Sequence, residues 1–142
     1  MNPITVEVTV NAPIEKVWEY WNEPEHIKQW AFAQDDWECP HAENDLKVGG
    51  KMLTRMQEKG SEEGFDLVAT YTAVEENKLI EYDMEDPESE KGVRHVKTEF
   101  IEDGDGVKIV QTFDPENVNP EEMQKEGWQA ILNNFKKHVE SD

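Results

Sequence analysis

The densest run of reactive side chains is Asp35, Asp36, Glu38, Cys39 and His41, where carboxylates, a thiol and an imidazole stand close together. Zinc would need further soft ligands at set spacings, and Cys39-Pro40-His41 has no second cysteine or histidine there. His26, His95 and His138 are remote in sequence. Asp103-Gly104-Asp105-Gly106 does not run on to the terminal glutamate of a calcium loop, so it reads as a hairpin turn. His95 has the chemistry of a general base, but Lys97 and Glu99 share its strand face and mark that face as solvated. Ser61, Ser89 and Ser141 lack the strand–turn–helix setting of an esterase elbow. Gly49-Gly50 lacks the further glycines and the following helix of a phosphate or dinucleotide loop. These residues therefore assign no catalytic group, metal ligand or cofactor.

The apolar residues carry the better candidate. Trp30, Phe32 and Trp37 fall in or beside an irregular stretch, and Met52, Phe65, Tyr71 and Tyr82 stand on strand patterns. Met123, Gly127 and Ile131 share one side of a C-terminal helix. Aromatic rings and thioethers give large, adaptable apolar contact. A tyrosine hydroxyl can orient a ligand carbonyl. Together they are the candidate wall of a cavity for a hydrophobic small molecule. The competing reading is plain core packing, the commoner fate of an aromatic stripe.

A wall needs elements to hold it. In FDPENVNPEEMQKEGWQAILNNFKKHV, Asn119 is a good N-cap, Pro120 suits the first helical position, and Glu122 can close a capping box. At about 100° per residue, Met123, Gly127, Ile131, Phe135, Trp128, Val139 and Leu132 share one half of this helix, with Gln124 and His138. So wide an apolar face fits a concave sheet better than a coiled-coil seam. Glycine at 127 also suits a close approach of helix to sheet. Upstream, Ile4 to Val10 alternates as a strand. Two short helices follow, one carrying Ile14, Val17, Trp18 and Trp21, the other Ile27 and Trp30. Residues 31–48 read as irregular. Strands are predicted over 52–56, 65–74, 79–84, 93–101 and 107–113, with a polar loop over 86–92. The chain is thus predicted to be one α+β domain over residues 1–142, with a curved antiparallel six-stranded sheet wrapped around the C-terminal helix.

The charge balance limits the partners. In 142 residues, 14 Lys and Arg face 33 Asp and Glu, a formal net charge of −19. Nucleic acid and anionic membranes would be repelled. A basic protein or an uncharged ligand remains compatible. One cysteine allows no intrachain disulfide, and the first residues show neither a basic region nor a long apolar run. A soluble cytoplasmic protein is the expectation, monomeric or paired through a strand edge.

The segments ITVEVTVNAPIEKVWEYWNEPEHIKQW, NDLKVGGKM, YTAVEENKLIEYDM and TFDPENVNPEEMQKEGWQAILNNFKKHVE make the chain resemble a known family nearly end to end. It is the activator of heat-shock protein 90 ATPase homologue family, in the START-like (SRPBCC, Bet v allergen-like) superfamily. The resemblance implies the helix-grip fold. It also implies a cavity between sheet and helix for lipids, sterols, polyketides or flavonoid-like aromatics. Some relatives are cyclases or hydrolases. The eukaryotic activators carry this domain behind a separate chaperone-binding domain. Three functions follow: a non-catalytic binder of an uncharged apolar molecule, a stress-linked interaction module or chaperone accessory factor, and a cyclase- or hydrolase-like enzyme. The enzyme would use Tyr82, Tyr71 or His95 as its acid, inside the cavity and beside a polar partner.

Overall fold

The computed structural model describes residues 3–86, 89, 92–116 and 118–141. The chain opens with strand β1 (Ile4–Val10) and helices α1 (Ile14–Asn22) and α2 (Pro24–Trp30). Strands β2 (Trp37–Asn44), β3 (Lys51–Glu58), β4 (Gly64–Glu75), β5 (Leu79–Glu85), β6 (Val93–Asp103) and β7 (Gly106–Phe113) follow, and helix α3 (Glu121–Glu140) closes the chain. The strands form one sheet in the order β1-β7-β6-β5-β4-β3-β2, with every neighbouring pair antiparallel. Strands β2 to β7 are therefore a meander, and β1 closes it beside β7. The polar loop expected over 86–92 lies outside the described residues at 87, 88, 90 and 91. No helix among the described residues is long and apolar enough to cross a membrane.

Two sequence expectations are corrected. The sheet has seven strands, because 37–44, expected to be irregular, pairs with β3. Its register shifts between Glu38 and His41, around Pro40. Proline cannot donate to a ladder, and a bulge destroys simple alternation, so an edge strand of this kind has no period to read. Helix α3 starts one residue later than expected. Pro120 holds the capping position with no side-chain cap bond, and Asn119 instead donates its side-chain amide to Glu116.

The inward face follows strict alternation on the central strands. Ile80, Tyr82 and Met84 on β5, and Val96, Thr98 and Phe100 on β6, are buried. So are Ile109, Gln111 and Phe113 on β7. Helices α1 and α2 cover one end of this face with rings. Trp18 meets Phe100 edge-on at 5.2 Å, and Trp21 and Trp30 lie 4.7 Å apart. Helix α3 grips through its C-terminal half, where Leu132, Phe135 and Val139 are fully buried. Each such burial is worth about 1.5–3 kcal/mol. Toward its N-terminus the packing is looser: Trp128 and Ile131 are only half-buried and Met123 is exposed, although Trp128 still stacks on Phe113 of β7.

The opposite face of the sheet is polar, and His95 is its most constrained group. Its Nδ1 lies 2.7 Å from Asp83 Oδ1 and its Nε2 2.8 Å from Glu81 Oε1. Partial burial works against the imidazolium, but the two hydrogen bonds and the charges of Asp83 and Glu81 outweigh it and raise the pKa above 6.5. Both ring nitrogens can donate to carboxylates only when protonated. The folded value being the higher, the stabilisation is fully present below the unfolded pKa and is lost as pH rises through the folded one. In an NMR titration the ring protons of His95 should move at a pH above that of an ordinary histidine. Stability in that window should fall with pH more steeply in the wild type than in His95→Gln. Equal slopes would remove the ion pairs from the account.

Candidate functional site

Two adjoining hollows open beside the N-terminal half of α3. The inner one, about 280 Å³, lies between the inward faces of β3, β4 and β5, helix α2 and α3. Trp30, Met52, Tyr71, Tyr82, Phe65 and Ile131 line it. The outer one, about 310 Å³, is lined by Phe32, Trp37, Met123 and Gly127, and again by Phe65 and Ile131. Every residue read from the sequence as cavity wall thus borders one hollow or both. Drug-sized ligands occupy roughly 300–1,000 Å³, so the inner hollow suits a small ligand and the two joined suit a larger one.

The residues differ in exposure. Trp30, Tyr71 and Tyr82 are buried. Phe65 and Met123 are 52% and 57% exposed and form an apolar rim, where Trp37 meets Phe65 at 6.2 Å. Gly127 corrects an expectation: a Cβ placed there would touch nothing within 4 Å, so no close helix–sheet approach requires glycine. Gly127→Ala should therefore raise stability by about 0.5–1 kcal/mol through lost unfolded-state entropy. Urea denaturation checks this, and a loss of stability would mean the helix is held closer than described.

Polar groups border the inner hollow at several points, most of them already engaged. The Tyr71 hydroxyl donates to Asn44 Oδ1. Asn44 Nδ2 donates to the Asn22 carbonyl at 2.8 Å, and Asn22 Nδ2 to the Trp18 carbonyl at 2.9 Å. This chain of bonds ties β4 and β2 to the end of α1. Gln111, 5% exposed, reaches Thr98 Oγ1 through Nε2 at 3.1 Å. Burial pushes both Tyr71 and Tyr82 well above the usual phenol range, so both hydroxyls stay protonated. Of the charged lining residues, Asp66 faces Arg55 at 3.5 Å, and Arg94 Nε lies 2.8 Å from Asp86 Oδ2. Glu85 and Glu116 also border the hollow.

The loop before α3 is fastened across the mouth. Gln124, 8% exposed, accepts from the Glu116 amide at 2.8 Å and donates to the Asn119 carbonyl at 2.8 Å. Trp128 stacks on Phe113 at 3.9 Å and 9°, and it borders both hollows. Neither Trp128 nor Gln124 was a sequence candidate for the wall, although both fall on the apolar half of α3. Gln111 and Thr54 also escaped, yet each carries a signal, a polar residue set in an apolar alternation: Ile109-Gln111-Phe113 and Met52-Thr54-Met56.

The other groups considered for chemistry lie elsewhere. Cys39 is buried on β2, with burial pushing its thiol up to about 11, far from the activated range of a nucleophile. His26 Nδ1 and His138 Nε2 are 3.0 Å apart where α2 meets the end of α3. His95 occupies the polar face of the sheet, so of the three candidate acids only the two tyrosines border the hollow. Tyr71 alone of these has a polar side-chain partner there, Asn44.

A profile of the family described as Activator of Hsp90 ATPase homolog 1-like protein matches residues 11–140. A solved protein from Cytophaga hutchinsonii is 50% identical, with 99% of this chain and 94% of that chain covered and a TM-score of 0.80. The AHSA1-like protein from Aeromonas hydrophila is 35% identical over 98% of this chain and 92% of that one, at a TM-score of 0.87. A protein from Chromobacterium violaceum shares the fold at a TM-score of 0.87 with 20% identity, covering 100% of both chains. No curated protein matches the sequence.

Proposed function

The chain belongs to the family of Activator of Hsp90 ATPase homolog 1-like proteins, and on that premise we propose that it binds an uncharged, hydrophobic small molecule without transforming it. One observation carries the proposal: between α3, α2 and the inward faces of β3, β4 and β5 lies a hollow of about 280 Å³ walled mainly by aromatic, methionine and aliphatic side chains. A helix that only completed a core would close down along its whole length, as its C-terminal half does. Acid–base chemistry would need several placed polar groups. The tyrosines stay protonated and Arg94 is held by Asp86, which favours binding over catalysis. The test is a thermal-shift screen against fatty acids, sterols, flavonoids and polyketide-like aromatics. A ligand at 100 times its dissociation constant adds about 2.7 kcal/mol. A panel that leaves the melting temperature unmoved throughout would sink the proposal.

A second reading is a protein-interaction module, such as a chaperone ATPase accessory factor. It draws support from Val118, Met123 and Phe65, which are 73%, 57% and 52% exposed, and from the net charge of −19, which suits a basic partner. Its mark would be association with a protein partner that weakens as salt rises.

A further inference from the structure

The inner hollow is not uniformly apolar, and its polar groups differ in whether their hydrogen bonds are already spent. The Tyr71 hydroxyl is committed to Asn44. The Tyr82 side chain, 6% exposed, has no hydrogen-bond partner among the described residues. Its hydroxyl is not among the sealed polar atoms either, so it opens onto the hollow that the ring lines. Thr54, 4% exposed on β3, is in the same position. Gln111 spends one amide hydrogen on Thr98 and has no second partner among the described residues. A buried polar group left unmade is costly, and a sequence built only for packing would place phenylalanine at 82.

The charges narrow the complement further. Among the described residues Arg94 is the one cation in the lining; its Nε lies 2.8 Å from Asp86 Oδ2 as an ion pair without hydrogen-bond geometry, and its Nη1 donates to the Asp114 carbonyl at 3.2 Å. The other charged lining groups are Asp66, Glu85 and Glu116. An anionic head would meet more acids than free cations. A neutral hydroxyl or carbonyl would meet a phenol able to donate to it and, for a hydroxyl, to accept from it.

We infer that Tyr82 determines ligand specificity in this cavity: the occupant is an uncharged apolar molecule bearing a hydroxyl or carbonyl that bonds to the Tyr82 hydroxyl. This rests on the binding proposal above. The cavity then discriminates against hydrocarbons, which leave Tyr82 unpaired, and against carboxylates, which meet Asp66, Glu85 and Glu116 against one cation already ion-paired with Asp86. Fatty acids fall on the disfavoured side.

The test uses naphthalene, 2-naphthol and 2-naphthoate on the full chain, with binding read from tryptophan fluorescence and the tyrosines labelled with ¹³C at Cζ. In the wild type, 2-naphthol should bind several-fold tighter than naphthalene and 2-naphthoate weakest, with the Tyr82 signal moving on addition of 2-naphthol. Tyr82→Phe should melt no lower than the wild type, because it removes an unpaired hydroxyl. It should bind naphthalene as before and lose the preference for 2-naphthol. Tyr71→Phe should melt lower, having lost the bond to Asn44, yet keep the preference. A 2-naphthol preference that survives Tyr82→Phe, or 2-naphthoate binding as tightly as 2-naphthol, would overturn the inference and leave the cavity proposal standing. If naphthalene and 2-naphthol both fail to bind, the cavity proposal falls and takes the inference with it.

Discussion

Phe135→Ala should cost about 3–5 kcal/mol of unfolding free energy, the range for emptying a large buried aromatic site. Phe135 is 0% exposed. It stands edge-on to two tryptophans from different helices, Trp21 at 4.9 Å and Trp30 at 5.0 Å. Phe135 thus fastens α3 to α1 and α2 as well as to the sheet. Such rings are held in place by others and cannot readily move into the vacated space, which puts the loss toward the upper end of the range. The matched control is Met123→Ala, about three turns earlier on the same helix face but 57% exposed, which should change stability by less than about 0.5 kcal/mol. Urea denaturation at constant m-value separates the two. A loss below about 1 kcal/mol at Phe135 would mean that α3 is not anchored where its burial pattern places the anchor.

That asymmetry along one helix was half legible in the sequence. The spacing of Met123, Gly127, Ile131 and Phe135 marks a single apolar stripe, and a stripe says which side faces the sheet. It does not say how far away the sheet is. Distance depends on strand curvature and on what the other helices occupy, and neither is encoded locally. The alternation of Val96, Thr98 and Phe100, and of Ile109, Gln111 and Phe113, was readable because central strands are buried on one face throughout. Strand β2 was not readable, because Pro40 and the register shift beside it erase the period. The bonds Tyr71–Asn44 and Asn44–Asn22 link residues far apart in sequence, so no window along the chain contains them. The aromatic and methionine residues of the hollow could be named in advance by type. Which tyrosine is committed and which is free could not, since that depends on Asn44 being brought beside one of them by an edge strand with no sequence signature.

Trp128→Ala is the second change with a large expected effect, and it acts on stability and binding in opposite directions. Trp128 lies flat on Phe113, and it borders both the inner hollow and the outer one. Because it is only half-buried, truncation should cost near the lower end of the aromatic range, about 3 kcal/mol. The same truncation removes a ring that borders both hollows, about 280 and 310 Å³, and should widen the passage between them. Pyrene, broader than naphthalene, should then gain at least about tenfold in affinity relative to naphthalene, or 1.4 kcal/mol, less than burying two further methylene-sized groups provides. Trp128→Phe keeps an aromatic face on Phe113, and it should retain most of the stability and most of the size discrimination. Denaturation and the pyrene-to-naphthalene ratio are independent readouts on one purified protein. A stability loss with an unchanged ratio would show that the wall collapses inward when the ring is removed, and that Trp128 only packs. A changed ratio would make the tryptophan the partition that sets ligand length, while Phe135, two turns further on, holds the helix down and keeps the cavity from spreading.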